Sequence, residues 1–244
     1  MIRQTDPPRS PRETLPTMYD LPNEAIEETG LPDQYHLWQA ELLAQTFCPP
    51  DYSSDRIFTA SDLNLYYDIR HPSWYKRPDW FAVLDVDRLY DRAESRLSYV
   101  IWQEGVSPFV AIELLSPGTE KEDLGQTLRE INQPPPKWEV YEKILRIPYY
   151  LVFDRYLDCL RGFQLVGSSY QEIPIQGDRL WLAEINLGLG LWQGEYQNLQ
   201  RPWLRWFDSN ERWILTPTEK ERQRADLAEA RVQELLAQLQ NSEG

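Results

Sequence analysis

Short apolar runs bounded by charged residues, proline or glycine recur through the middle of the chain. They are rich in β-branched and aromatic residues, a composition that is typical of β-strands. The clearest strands are predicted at residues 79–86, 98–103, 109–116 and 148–154. Further strands are predicted in CLRGFQLVG and YQEIPIQ, as a hairpin around GSS, and in RLWLAEI.

Apolar residues at helical spacing occur before and between these strands. Residues 32–47 carry a stripe of Leu and Trp, which predicts a first helix. After the third strand, Thr119 and Glu122 fit a capping box, so a second helix is expected to begin there and to run until the prolines at 134–136. Another helix is expected to begin at Lys137. Strands and helices in this order predict a mixed α/β core.

The two ends of the chain differ from this core. Residues 1–32 are rich in proline and charge and lack periodicity, which predicts a flexible N-terminal arm. Residues 216–240 predict a long C-terminal helix. Its start is indicated by Thr216 as the N-cap, Pro217 at the first position and Glu219 at the third.

The C-terminal helix also carries a coiled-coil pattern. Its apolar residues alternate at spacings of three and four, at Ala225, Ala228, Val232, Leu235 and Leu239. Two interpretations stay open. Either this seam joins two copies into a homodimer, or the helix lies on the body of its own chain.

Composition restricts the class of function. The formal net charge of -14 argues against a protein that coats nucleic acid through bulk electrostatics, but it permits an enzyme with a local basic cleft. With two Cys and two His, neither a disulfide framework nor a Cys/His zinc site is expected. No apolar run approaches the roughly 20 residues of a membrane span. The first residues lack a signal core, so a cytoplasmic location is expected.

One carboxylate interrupts an otherwise apolar strand. Alternation along residues 109–116 puts Glu113 on the same face as Phe109, Ala111 and Leu115. An isolated buried carboxylate becomes neutral, because burial disfavours its charged form. Glu113 can stay ionised only if a cation meets it, either a metal ion or the side chain of a Lys or Arg.

A second carboxylate opens a neighbouring strand. In KRPDWFAVLDV, Asp79 follows Pro78 and begins an apolar run. Two carboxylates at the ends of adjacent strands suit magnesium, which takes one or two protein carboxylates and keeps several waters. The alternatives are structural: Glu113 pairs with a basic side chain, and Asp79 closes a turn.

The motifs together resemble a known family. RPDW before one strand, VAIELLSPGT at the end of another, a Lys and a Tyr on a helix, and then PYYLVFD are similar to the Uma-type branch of the PD-(D/E)XK nuclease superfamily. These restriction-endonuclease-like proteins are widespread in cyanobacteria. The resemblance covers about residues 18–240. It implies a mixed α+β fold: a restriction-endonuclease-like core at 33–213, with a central mixed sheet flanked by helices, plus the long C-terminal helix.

The resemblance also implies site residues. Asp79 matches the Asp of the PD element and Glu113 the acidic residue of (D/E)XK, both holding one or two magnesium (or manganese) ions. The family's Lys is expected at position 115, which is Leu in this chain. Lys137 best matches the helical Lys that members of this branch use instead, and Lys121 is the alternative.

Two functions follow from the resemblance. The first is a metal-dependent endonuclease that hydrolyses phosphodiester bonds in DNA, with Asp79, Glu113 and Lys137 as catalytic residues. The second is a catalytically inactive module of the same fold, with a binding or regulatory role, that self-associates through the C-terminal helix.

Residues near the motifs bear on DNA as a partner. Several basic residues are close in sequence and either line a cleft for a phosphate backbone or are solvated partners of Glu: Lys76, Arg77, Arg129, Lys143 and Arg146. Trp74 and Trp80 flank Asp79 and either stack on bases or pack in the core. Tyr141 is expected in the core or behind the site.

Overall fold

The computed structural model describes residues 33–116, 120–126 and 133–242. The predicted N-terminal arm, the predicted helix start at Thr119 and the basic residue Arg129 lie outside these described residues. Within them, no helix combines the length and the apolar content that a membrane crossing requires.

The described residues form helices, strands and a few short 3-10 turns. The helices are α1 (Gln34–Thr46), α2 (Ile101–Glu104), α3 (Glu120–Asp123), α4 (Lys137–Glu139), which continues into a π-helical turn at Val140–Ile144, and α5 (Pro217–Ser242). The strands are β1 (Ile57–Ala60), β2 (Leu65–Tyr66), β3 (Tyr75–Lys76), β4 (Trp80–Leu84), β5 (Tyr99–Val100), β6 (Val110–Leu114), β7 (Tyr149–Asp154), β8 (Cys159–Val166), β9 (Ser169–Ile173), β10 (Arg179–Leu182), β11 (Leu187–Tyr196) and β12 (Leu199–Phe207).

A six-stranded mixed sheet lies at the centre, in the order β1-β4-β6-β7-β8-β9. Strands β6 and β7 run parallel, while the other neighbours are antiparallel. A parallel pair needs a crossover connection, and the described parts of this one contain α3 and α4. The predicted mixed α+β fold, with a central mixed sheet and flanking helices, is therefore confirmed.

The central sheet is covered on both faces. On one face, Trp80 and Ile112 pack with residues of α1 and of a second sheet, β10-β11-β12. On the other face, Ala111 packs with Tyr141 of the π-helical turn. The alternation predicted for residues 109–116 is confirmed for Ala111, Glu113 and Leu115, which share the face of the π-helical turn. It is wrong for Phe109, which precedes β6 and packs with the cluster on the opposite face.

The second sheet contains two strands that the sequence pattern does not predict. Strands β11 and β12 pair over nine positions. Glycine is uncommon in strands, so Gly188, Gly190 and Gly194 hide β11 from a pattern search. The structure needs glycine at the first of these positions, because a Cβ on Gly188 would meet Phe207 Cζ at 2.0 Å.

The helix predicted from Thr119 to the prolines at 134–136 is wrong in its extent. Helix α3 ends at Asp123, and the chain turns at Gly125, whose φ of 70° favours glycine. The ring of Trp138 packs against this glycine, where a Cβ would approach Trp138 Cγ to 2.9 Å. The turn therefore folds α3 back towards α4.

The strand predicted at 98–103 is also too long. Only Tyr99–Val100 is extended, and α2 follows directly. Gly105 ends α2 in the left-handed conformation, with a φ of 73°, and its N–H donates to Ile101 O.

The start of the C-terminal helix is confirmed in atomic detail. Glu219 N donates to Thr216 Oγ1 at 3.2 Å, and Thr216 N donates to Glu219 Oε2 at 2.7 Å, which is a capping box. The buried guanidinium of Arg205 pairs with Glu219 and so ties this end to β12. Beyond it, the side chains of residues 220–238 are all exposed. The interpretation that the helix lies on the body of its own chain is therefore wrong for these residues.

Candidate active site

The two carboxylates predicted from sequence lie side by side. In the antiparallel pairing of β4 with β6, Trp80 pairs with Ile112. Asp79 and Glu113 are the next residues on the two chains, so they lie opposite each other. Leu114 N donates to Asp79 Oδ2 at 2.5 Å, and Asp79 N donates to Glu113 Oε2 at 3.3 Å. The sheet therefore fixes both groups at the end of β6.

The predicted Lys reaches the same point from α4. Lys137 Nζ donates to Glu113 Oε2 at 2.9 Å, and the Tyr141 hydroxyl donates to Glu113 Oε1 at 2.9 Å. Residues four apart share one face of a helix, so one short helical segment supplies both donors. Glu113 is fully buried, and these contacts explain how a carboxylate is tolerated inside an apolar strand.

Asp123 is a third carboxylate at this site, and the sequence analysis did not assign it a role. It is 1% exposed, and its Oδ1 lies 3.1 Å from Lys137 Nζ. Among the described residues, neither of its carboxylate oxygens has a hydrogen-bond partner. No helical or strand periodicity links Asp123 to Lys137 in the sequence, since the two residues lie on separate helices, α3 and α4.

Burial and mutual repulsion shift the pKa values of this cluster. Burial raises the pKa of Glu113 well above its ordinary value; Lys137 opposes this shift, and Asp79 and Asp123 add to it. Burial also raises the pKa of Asp79 to about 6. Burial lowers the pKa of Lys137, but the surrounding carboxylates outweigh it and raise that pKa well above its usual range. One ammonium group thus faces three carboxylates, so ionising all three leaves excess negative charge.

The raised pKa of Asp79 predicts a pH-dependent stability in metal-free protein. Because the folded-state pKa of about 6 exceeds the ordinary 3.8, the unfolded state releases its proton first, and the free energy of unfolding falls as pH rises from about 4 through 6. Asp79→Asn mimics the neutral acid and removes this fall. We expect the variant to match wild type near pH 4 and to exceed it by on the order of 2 kcal/mol near pH 7. Urea denaturation in EDTA measures this, and a difference that does not grow with pH would contradict the assignment.

His36 of α1 forms part of the wall beside Asp79, and sequence reasoning missed it. Its Nδ1 lies 2.8 Å from Asp33 Oδ1 and its Nε2 lies 3.1 Å from Leu114 O. Both partners are acceptors, so the ring donates from both nitrogens as an imidazolium. Burial lowers the pKa of His36, but the hydrogen bond to Asp33 and the charge of Asp79 raise it overall. Its contact with Leu114 spans 78 positions of sequence, which no local pattern reveals.

A cavity of about 180 Å³ opens onto this cluster. Asp79, Asp123, Lys137 and His36 all line it, as do several neighbours. Lys121 is exposed and does not line the cavity, so the structure brings Lys137, and not Lys121, to the carboxylates. A larger groove of about 820 Å³ runs along β1 and α1, but its lining lacks any of these three carboxylates.

The other residues noted near the motifs divide into two groups. Lys76 and Arg77 line the cavity, where they pair with Glu122 and Asp62. Lys143 does not line it. Arg146 lies away from it as well and donates to Gly167 O.

The two tryptophans that flank Asp79 pack in the protein. Trp80 is fully buried, so the idea that it stacks on bases is wrong. Trp74 is half-buried and stacks on His71, with their ring centroids 3.9 Å apart.

The donor set suits a hard cation. Magnesium prefers carboxylate oxygens and keeps several waters. Asp123 Oδ1 pairs with Lys137 Nζ, whereas the buried Oδ2 accepts no hydrogen bond among the described residues and is available to such an ion. Across the described ranges, no three His, Cys, Asp or Glu residues are already arranged as a complete ligand set. The residues therefore fit an ion held by one or two carboxylates with water.

Comparison with known protein families finds a match. The model of the family Uma2, described as "Putative restriction endonuclease", matches residues 9–194. The match includes the carboxylates, Lys137 and the central sheet, and it ends inside β11. None of the curated proteins matches the chain.

Proposed function

The chain belongs to the Uma2 family, and from that premise we propose that it is a metal-dependent endonuclease that hydrolyses phosphodiester bonds in DNA. The observation that carries the proposal is the group of Asp79, Glu113 and Asp123 around Lys137. Asp79, Asp123 and Lys137 line the cavity, and Glu113 is fully buried behind them. A protein core does not favour three carboxylates around one ammonium group, because the excess charge is costly to bury. A divalent cation would offset the excess negative charge of the three carboxylates, and a phosphate group would bind beside this cation.

Asp79 and Glu113 are the proposed ligands of magnesium or manganese, and Asp123 is the alternative donor in place of one of them. When bound, the ion supplies Lewis-acid chemistry that makes water more acidic and stabilises negative charge on a phosphate. Tyr141 holds Glu113 by donating to Oε1, which leaves Oε2 directed at Lys137. The Leu114 N–H holds Asp79 in the same way.

Lys137 is the proposed electrostatic catalyst. Its ammonium group is fixed between Glu113 and Asp123 and lines the cavity. A positive charge held in place before the reaction stabilises charge that develops on a phosphoryl oxygen. The exposed position of Lys121 supports Lys137 over Lys121 for this role.

Cleavage assays test the proposal. Supercoiled plasmid, linear duplex and single-stranded DNA are each incubated with magnesium, with manganese and with EDTA. We expect cleavage with at least one of the two metals, none in EDTA and none by Asp79→Asn. Asp51→Asn, an exposed substitution outside the cavity, should cleave like wild type. No cleavage of any DNA form with either metal would contradict the proposal.

The competing proposal is a catalytically inactive module of the same fold that binds or regulates. Two features support it: Leu115 occupies the position of the family's Lys, and the net charge is -14. The module would self-associate through α5, and this association is compatible with either function.

We propose that α5 joins two copies of the chain. Val232 and Leu235 belong to the coiled-coil seam and are 53% and 43% exposed, which leaves their apolar surface in water. The capping box and the Arg205 pair hold the helix start against the body, so the rest projects outwards. Pairing of two such helices buries the seam of each.

Charged substitutions in the seam test this association. Val232→Glu together with Leu235→Glu should convert a dimer into a monomer, because carboxylates at the seam repel each other and cannot be buried. Light scattering measures the mass. Gln233→Glu, outside the seam, is the matched control and should stay dimeric. A wild-type protein that is monomeric at high concentration would remove the proposal.

A further inference from the structure

A row of aromatic side chains covers the outer face of the small sheet β3-β2-β5. In this sheet Leu65 pairs with Lys76, and both side chains are buried against the body. Tyr66 pairs with Tyr75 at the next position. Because alternate residues of a strand point to opposite faces, these two tyrosines lie on the outer face.

The rings lie in a row in which Tyr75 and Trp102 are exposed and Tyr66, between them, is half-buried. The Tyr66 and Tyr75 ring centroids are 5.4 Å apart, and those of Tyr66 and Trp102 are 6.4 Å apart. Tyr75 is 43% exposed and Trp102, in α2, is 37% exposed. We call Tyr66, Tyr75 and Trp102 the aromatic ledge.

The ledge begins at the candidate active site. Tyr75 lines the same cavity as Asp79 and Lys137. The ring of Tyr75 is therefore within reach of a polymer that has a phosphate group in this cavity. The half-buried ring of Tyr66 lies next to that of Tyr75, and the exposed ring of Trp102 lies beside Tyr66.

Because the protein is acidic overall, its contact with DNA should not depend on long-range electrostatic attraction. The net charge of -14 repels a phosphate backbone at long range. Arg77, at the cavity, is 3.5 Å from Asp62, so part of its charge is neutralised. Stacking of bases on aromatic rings adds affinity that is tolerant of sequence and independent of net charge.

We propose that the aromatic ledge is a stacking platform for unpaired bases, so that the substrate is DNA with unpaired nucleotides next to the bond that is cleaved. This inference rests on the proposed nuclease function. Bases inside a duplex present only their edges, whereas a single strand, a loop or a flap offers its ring faces. The inference therefore names the class of DNA that the site takes.

Fluorescence anisotropy in EDTA tests the inference without cleavage. The probes are a short labelled single strand of mixed sequence and the same strand annealed to its complement, at one fixed salt concentration. Wild type should bind the single strand at least about tenfold more tightly than the duplex. Tyr75→Ala and Trp102→Ala should each weaken single-strand binding roughly 5- to 100-fold, while Tyr75→Phe keeps the ring and should bind like wild type.

Controls separate binding from folding. Trp181 of β10 is 39% exposed and lies in the other sheet, so Trp181→Ala should leave binding unchanged. Circular dichroism shows whether each variant is folded. Because Trp102 and Tyr75 lie on different elements, one unfolded variant still leaves the other as a test.

The outcomes also separate this inference from the proposed function. No single-strand binding, equal affinity for both probes, or unchanged binding by folded Tyr75→Ala and Trp102→Ala would overturn the platform. Ledge-dependent binding without any cleavage in magnesium or manganese would support the platform and contradict the nuclease. Cleavage of duplex that is insensitive to both ledge variants would support the nuclease alone.

Discussion

Glu113→Gln is expected to lower the rate of metal-dependent DNA cleavage by at least about 100-fold while the protein stays folded. Gln keeps the size of the side chain and an oxygen that accepts from the Tyr141 hydroxyl. It removes the negative charge that a divalent cation and Lys137 both require. Because burial raises the pKa of Glu113, the charged form is costly to the fold, and its removal should not lower stability near pH 7.

The measurement is single-turnover cleavage with magnesium, beside urea denaturation of the same preparations. Glu172→Gln on β9 is the matched control, since it makes the same chemical change on an exposed strand residue. It should cleave at the wild-type rate. A folded Glu113→Gln protein that cleaves at a rate within a few-fold of wild type would show that this carboxylate is not needed for DNA cleavage.

Lys137→Met is expected to destabilise the protein by about 3–5 kcal/mol near pH 8, the usual cost of removing one partner from a buried ion pair. The Lys137 side chain is 15% exposed and that of Glu113 is fully buried, so solvent screens their pairing little. Without the ammonium group, the repulsion of Glu113 by Asp79 and Asp123 is no longer offset by Lys137.

The loss of stability caused by Lys137→Met should be smaller at acidic pH. The pKa values of Asp79 and Glu113 are already raised, and they rise further when Lys137 is absent, because its charge opposes both shifts. The folded variant therefore takes up protons as pH falls, which restores stability by about pH 5. Lys143→Met, at an exposed residue whose Nζ is 3.9 Å from Glu139, should cost less than about 1 kcal/mol at either pH. Equal losses for Lys137→Met at both pH values would contradict the charge cluster.

Local patterns predict the strands that carry the site. β4, β6 and β7 are short apolar runs with clear boundaries, and Glu113 stands out because it breaks one of them. The three prolines before Lys137 mark a helix start that the structure confirms. Residues whose position depends on a strand or a helix start can thus be placed from sequence alone.

Residues brought in by long-range contacts cannot be placed in that way. Asp123 contacts Lys137, and the nearby turn at Gly125 packs against the ring of Trp138. His36 contacts the end of β6 from the first helix. The ledge residue Trp102 lies in a run that reads as a strand, yet the chain forms α2 there. These positions depend on tertiary packing, which overrides local preference.

Calorimetric titration of manganese into the purified protein, with Glu113→Gln and Glu172→Gln beside wild type, tests whether the carboxylate cluster binds a metal ion. We expect saturable binding by wild type and by Glu172→Gln, and its loss in Glu113→Gln. Absence of binding by wild type at millimolar manganese, or equal binding by Glu113→Gln, would contradict a metal site. The buried carboxylates would then be an ion-pair network centred on Lys137.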